Sequence, residues 1–217
     1  MRIGILGTGM VGQAIGTRLT KLGHDVRMGS RDAGNAKARN WVMQAGPHAS
    51  HGTFADAAAF GDLLFNCTSG DGSLPALEAA GEKNLDGKVI ADVANPLNMA
   101  TIPLPELTVC NDDSLGERIQ RAFPKARVVK TLNTMNCQLM VDPSKVAGEH
   151  DVFVCGNDAD AKATVKEILR EFGWDEPIDL GDITASRGTE MLLPIWLRLM
   201  VGLKTPMFNF HIARQSP

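Results

Sequence analysis

The sequence predicts an α/β protein built on a mostly parallel sheet, with helices on both faces and a small C-terminal helical part. Three observations carry that prediction. Short runs rich in Val, Ile and Leu alternate with helix-length segments along most of the chain, the pattern of a parallel sheet covered by helices. The first run enters a turn, Gly7-Thr8-Gly9-Met10-Val11-Gly12, that opens directly into a helical segment. The length of 217 residues suits one large core with an appendage, read as 1–182 for the sheet unit and 183–217 for the helical segment.

Strands are expected at Arg2–Gly7, Asp25–Gly29, Asp62–Thr68, Lys88–Val93, Arg127–Leu132, Asp151–Cys155 and Pro177–Leu180, where β-branched and aliphatic residues cluster between turn formers. Helices are expected at Met10–Leu22, Asn35–Gln44, Thr53–Ala59, Ser73–Ala80, Ser114–Phe123, Ala159–Phe172 and Ser186–Leu203. Ser114 and Asp158 suit N-caps, because a short side-chain oxygen there accepts from the free amides of the first turn. The one proline-dense loop runs from Pro96 to Pro105, and neither repeats nor low-complexity runs occur.

Eight of the 22 glycines fall within the first 34 residues, and three have separate tasks in a Rossmann-like phosphate turn. Gly7 makes the tight bend, Gly9 lets the backbone approach a pyrophosphate, and Gly12 lets helix and sheet pack closely, with Thr8, Met10 and Val11 completing the loop. The helix start then offers free N–H groups and positive dipole to phosphate. An NAD site usually places a carboxylate at the end of the second strand, roughly 20 residues beyond the loop; here that end reads Met28-Gly29-Ser30-Arg31. Ser30 and Arg31 suit a 2′-phosphate, Lys37 adds a second cation, and NADP(H) is the expected cofactor. Asp32 argues the other way but lies beyond the expected strand end.

Ligands of open parallel sheets sit beyond the carboxyl ends of the strands. Thr68 and Ser69 there are candidates for contact with phosphate or ribose, and Asn95, Pro96 and Asn133 for the nicotinamide end. Ordinary turn chemistry is the competing reading of each.

Tyrosine is absent, which excludes mechanisms that need a phenol. A net charge of −3 and an isoelectric point near 5.9 give no field attractive to nucleic acid or anionic membrane, so a small-molecule partner is expected. The start of the chain offers no room for a signal peptide. Met191–Leu203 is too short for a bilayer span of ~20 residues and reads as a buried helix. Cys67, Cys110, Cys137 and Cys155 have no metal-ligand spacing and read as reduced thiols of a cytoplasmic protein. No metal site and no dedicated catalytic side chain is expected.

Several stretches together resemble a known family. They are Gly7-Thr8-Gly9 with Gly12, Leu22-Gly23-His24, Gly29-Ser30-Arg31, Asp92-Val93-Ala94-Asn95-Pro96, Val129-Lys130-Thr131-Leu132-Asn133-Thr134, Val154-Cys155-Gly156 and Met191-Leu192-Leu193-Pro194. Over nearly its whole length the chain is similar to the NADP oxidoreductases dependent on the deazaflavin coenzyme F-420, and to the related NADPH-binding domain of the STEAP metalloreductases. The resemblance implies NADPH on the sheet, a homodimer, and hydride exchange with a deazaflavin (F-420) or flavin (FMN or FAD) stacked on the nicotinamide. The F-420 enzymes tend to carry histidine at the position of Asn133, and the lysine of the second helix falls later here, as Lys37.

Ring-to-ring hydride transfer needs two stacked rings more than an acid, in keeping with five histidines, His24, His48, His51, His150 and His211, that read as structural or surface groups. Other readings stay open: a ferric or flavin reductase; a carbonyl or imine dehydrogenase, for which Lys130 is the one lysine near a strand end, unless it is only a solvated or sheet-edge charge; and an NADPH-binding redox sensor without turnover.

Overall fold

The computed structural model describes residues 1–101 and 103–215. In chain order the elements are β1 (Arg2–Leu6), α1 (Met10–Lys21), β2 (Asp25–Ser30), α2 (Ala36–Ala45), β3 (Ala49–Thr53), α3 (Phe54–Phe60), β4 (Leu63–Asn66), α4 (Gly70–Ala80) and α5 (Glu82–Leu85). They continue with β5 (Val89–Asp92), β6 (Leu97–Asn98), β7 (Glu106–Leu107), α6 (Leu115–Ala122), β8 (Arg127–Thr131), α7 (Cys137–Met140), β9 (Phe153–Cys155), α8 (Ala159–Phe172), β10 (Ile178–Asp179), α9 (Ser186–Met191) and α10 (Leu193–Leu203).

The main sheet runs β10-β9-β8-β5-β4-β1-β2-β3. All its pairings are parallel except β8 with β9, so the expected α/β class and mostly parallel sheet are found. The order reverses between β1 and β4, which opens a crevice beyond their carboxyl ends. Two apolar layers flank the sheet. One joins Ile5, Ile15, Leu19, Met28, Phe65 and Val129 to Leu139, Val165 and Phe172; the other joins Leu6, Leu64 and Ile90 to Ala57, Leu77 and Ile119. Ile5, Leu19 and Phe65 are wholly buried, each stabilising the fold by about 1.5–3 kcal/mol.

The expected strands are present with ends moved by one or two residues. The chain adds β3, whose polar sequence Ala-Ser-His-Gly-Thr has no apolar alternation to reveal it. His51, expected near a loop, therefore lies within a strand. Thr53, expected as the first helical residue, instead caps α3: its hydroxyl accepts from Asp56 N (3.1 Å) and its amide donates to Asp56 Oδ2 (2.8 Å). Asp158 and Ser114 cap α8 and α6 as expected. The loop after Pro96 folds into the β6–β7 hairpin; Ile102, within that expected loop, and the last two residues of the 183–217 segment lie outside the described residues.

The expected single helix Ser186–Leu203 is broken at Leu192, because Pro194 has no amide to donate and starts α10 at its first turn. Nor is it buried throughout. Leu193 and Leu197 face inward, whereas Ile195, Val201 and Leu203 are each about half exposed. Among the described residues no helix is long and apolar enough to cross a membrane.

Candidate cofactor-binding site

The glycine loop sits at the reversal point of the sheet. Gly7 has φ +121°, its amide donates to Gly29 O (3.1 Å), and a Cβ there would stand 2.6 Å from the Cys67 carbonyl oxygen. Only glycine fits both demands. Gly12 packs on the Gly7 carbonyl, whereas a Cβ at Gly9 would meet nothing within 4 Å; Gly9 faces open space. Helix α1 has no side-chain cap and no acidic residue in its first turn. The first amide with a partner inside the helix is Gln13 N, on Gly9 O, so those of Met10, Val11 and Gly12 have no helical acceptor. Gln13 Nε2 steadies the loop from behind by donating to Thr8 O (2.9 Å). An uncapped helix start behind an open glycine is the cradle a pyrophosphate requires.

On the neighbouring strand, Ser30 is buried and its hydroxyl donates to Asp32 O (2.6 Å). The Asp32 carboxylate accepts from Gly34 N (2.9 Å), so it closes its own loop rather than standing at the strand tip. Arg31 is exposed, and Lys37 is exposed in the first turn of α2, whose cap is Asn35. The tip of β2 thus presents cationic side chains with no carboxylate in the place that would contact ribose hydroxyls.

Beyond β4 and β5 lies a slot of about 190 Å³ lined by Val11, Cys67, Thr68, Ser69, Gly70, Val93, Ala94, Asn95, Leu97 and Met99. Burial, reinforced by the Asp92 carboxylate, pushes the Cys67 thiol pKa well above its ordinary value, leaving no side chain here poised to donate or accept a proton near neutrality. Gly70 packs its α-carbon on the Asn95 carbonyl and Pro96, so two turns meet backbone to backbone. Asn95 Nδ2 donates to Asn133 O (2.8 Å) and Asn133 Nδ2 to Asn95 Oδ1 (3.0 Å). Of the expected residues, the structure gathers the glycine loop, Thr68, Ser69 and Asn95 around this crevice. It places Pro96 and Asn133 behind the slot wall, and Ser30, Arg31 and Lys37 one strand away.

A wholly buried polar network supports the slot, and the sequence reading did not identify it. Asn66 Nδ2 donates to Asp92 Oδ1 (2.8 Å) and Ser73 Oγ (3.0 Å), and Thr68 Oγ1 donates to Asn66 Oδ1 (2.7 Å). Lys130 Nζ binds Asp92 Oδ2, Glu190 Oε1 and Ala94 O. Its side chain is 0% exposed. Burial disfavours the ammonium, but Asp92 and Glu190 outweigh burial and raise its pKa. Both sequence readings of Lys130 are therefore overturned: it is neither solvated nor able to reach a substrate. The available signals were polar residues at the ends of apolar runs, Asn66 after Leu63-Leu64-Phe65 and Glu190 before Met191-Leu192-Leu193.

A larger groove of about 920 Å³, lined by Pro143, His150, Asp151, Trp174 and His211 among others, shares no residue with the slot. Its histidines are tied into the tail, His150 to Pro143 O and Asn209 and His211 to Asp151.

Comparison with known proteins agrees with this geometry. Residues 2–96, from β1 through the Asn95-Pro96 turn, match the family model for coenzyme F-420-dependent NADP oxidoreductases. A crystal structure of a candidate F-420-dependent NADP reductase from Arthrobacter sp. FB24 superimposes with a TM-score of 0.93 at 51% identity, covering 98% of this chain and 99% of that one. The chain belongs to the F-420-dependent NADP oxidoreductase family. Among curated relatives of this oxidoreductase family member, the F-420-dependent NADP reductase of Methanocaldococcus jannaschii is 28% identical over 98% of both chains. The metalloreductase STEAP3 of Rattus norvegicus is 29% identical over 98% of this chain, which spans only 42% of that protein. The sequence-based assignment to this family, and its link to the metalloreductases, therefore hold.

Proposed function

We propose that the protein is an NADP(H)-dependent oxidoreductase that exchanges hydride with a flat deazaflavin or flavin ring. The observation that carries this reading is the meeting, at one sheet crevice, of an uncapped α1 N-terminus and a slot walled by Val11, Val93, Leu97 and Met99 without a proton donor. The amides of Met10, Val11 and Gly12 would hold the pyrophosphate, Arg31, Ser30 and Lys37 the 2′-phosphate, and Thr68, Ser69 and Asn95 the nicotinamide ribose and ring. The nicotinamide, when bound, supplies or accepts the hydride. The chain's own part is positioning: the walls exclude water and orient the two rings, which lowers the barrier mainly by proximity. With Lys130 withdrawn into the core, a carbonyl or imine dehydrogenase using it as acid loses its one candidate.

The test is a panel assay. Purified protein is mixed with NADPH and, separately, coenzyme F-420, FMN, FAD or a ferric chelate, while absorbance is followed at the nicotinamide band. Oxidation with F-420 or a free flavin is expected. Binding without oxidation by any acceptor would overturn the enzymatic reading in favour of a sensor.

A homodimer accompanies this proposal. Ile195, Val201 and Leu203 expose one apolar side of α10 beside the stacked Trp196–Phe208 pair, and such a patch suits a second copy of the chain. Light scattering should give twice the chain mass, and Val201→Glu should halve it.

A further inference from the structure

We propose that Lys130 and Glu190 are positioning residues that fix the Ala94-Asn95-Pro96 turn, and with it the nicotinamide end of the cofactor, by anchoring it to the C-terminal segment. The inference rests on the NADP(H) reading above and deepens it. Ala94 is held at both its backbone groups: its amide donates to Asp92 Oδ1 (3.3 Å), and its carbonyl accepts from Lys130 Nζ (2.5 Å). An ammonium has three protons, and here all three are used, on Ala94 O, Asp92 Oδ2 (2.8 Å) and Glu190 Oε1 (2.8 Å). The direction of the Nζ–H bond to the turn is therefore set by where the two carboxylates stand.

Glu190 is itself fixed from the far side. Leu115 N donates to its Oε2 (2.8 Å) and Gly116 N to its Oε1 (3.1 Å), so the first amides of α6 offset the second buried negative charge. Further bonds dock the same stretch: Arg187 pairs with Glu117 through two bonds (2.6 and 2.8 Å), and Ser186 Oγ meets Ser114 Oγ (2.7 Å). The chain of contacts runs from α9 through Glu190 and Lys130 to Ala94, and from Asn95 to Asn133. A buried ion pair contributes little net stability compared with apolar packing; what this one supplies is a fixed position for the wall of the slot.

The test separates the two ends of the cofactor. Glu190→Gln keeps the size of the side chain and removes its charge. NADPH affinity is expected to fall about tenfold or more, as misplacement of a reacting group by a fraction of an ångström does, while 2′,5′-ADP, which lacks the nicotinamide half, binds as to the unaltered protein. Hydrogen exchange of the unliganded variant should be faster over Val93–Leu97, a readout that needs no cofactor. If Glu190→Gln does not fold, Glu190→Asp, which keeps the charge but draws it back by one methylene, takes its place in both measurements. Equal weakening of both ligands, or unchanged NADPH binding, overturns the inference. Failure of the unaltered protein to bind either nucleotide overturns the cofactor reading instead, and the exchange result then stands alone.

Discussion

Asn95 and Asn133 grip each other by two hydrogen bonds, Asn95 Nδ2 on the Asn133 carbonyl and Asn133 Nδ2 on Asn95 Oδ1. The pair joins the turn after β5 to the turn after β8. Leu132 makes this possible by taking φ +61° while buried, a conformation that bulky residues rarely adopt outside functional turns. Asn133→Ala leaves Asn95 Oδ1 without its donor and should cost about 1–3 kcal/mol of stability, together with a lower rate of NADPH oxidation. Thermal melts and initial rates check both.

Gly9 and Gly7 should respond in opposite ways to the same change. Gly9 has ordinary dihedral angles and open space where a Cβ would go, so Gly9→Ala should leave the melting temperature nearly unaltered while weakening NADPH binding. Gly7→Ala meets a left-handed φ and the Cys67 carbonyl together and should fail to fold stably. Calorimetry on the two variants, with and without NADPH, distinguishes a cradle from a mere turn.

Arg31 should choose between cofactors. A charge-assisted hydrogen bond to phosphate is worth about 1.5–3 kcal/mol, so Arg31→Ala should weaken NADPH by roughly ten- to a hundredfold at 1.4 kcal/mol per decade and leave NADH unchanged. Titration with each nucleotide measures the ratio; equal losses would refute the assignment of the 2′-phosphate to this side chain.

Asp113 gives the fold an acid-side dependence. Burial acts against its ionised form, but hydrogen bonds from Arg118, Arg121 and the Ser114 amide prevail and hold its pKa down to about 2. Its folded value lies below its unfolded one, so its contribution is complete above the unfolded pKa and is lost as pH falls toward 2. Asp113→Asn should flatten the fall in melting temperature between pH 5 and pH 2, about the window between the two pKa values.

Lys204 ends α10 at φ +55° and is exposed. A left-handed helix end favours glycine by about 1 kcal/mol, so Lys204→Gly should raise the melting temperature by a few degrees without touching the crevice.

What could be read from the residues alone follows the reach of the physics involved. The glycine loop was legible because its three glycines answer local steric demands that sequence spacing records, and the strand ends were legible because apolar runs stop where burial stops. Strand β3 was hidden because Ala49–Thr53 pairs along one edge with polar side chains and carries no period. Lys130 was misjudged for a different reason. Its partners Asp92 and Glu190 lie 38 and 60 residues away in sequence, and no local pattern announces a pairing made only by folding. The exposed side of α10 was missed because an all-apolar helix reads as interior until its neighbours are known.

The contact between Gly70 and the Asn95 carbonyl has a consequence for how such a crevice can change over generations. The inner gauge of the slot is set by main chain against main chain, which mutation of side chains scarcely alters. Its outer lip, Leu97 and Met99, is made of side chains on and just after the short strand β6. Substitutions there retune which ring system lies against the opening while the nucleotide end stays as it is, so one nicotinamide scaffold can be passed between acceptors by rewriting a few lip residues.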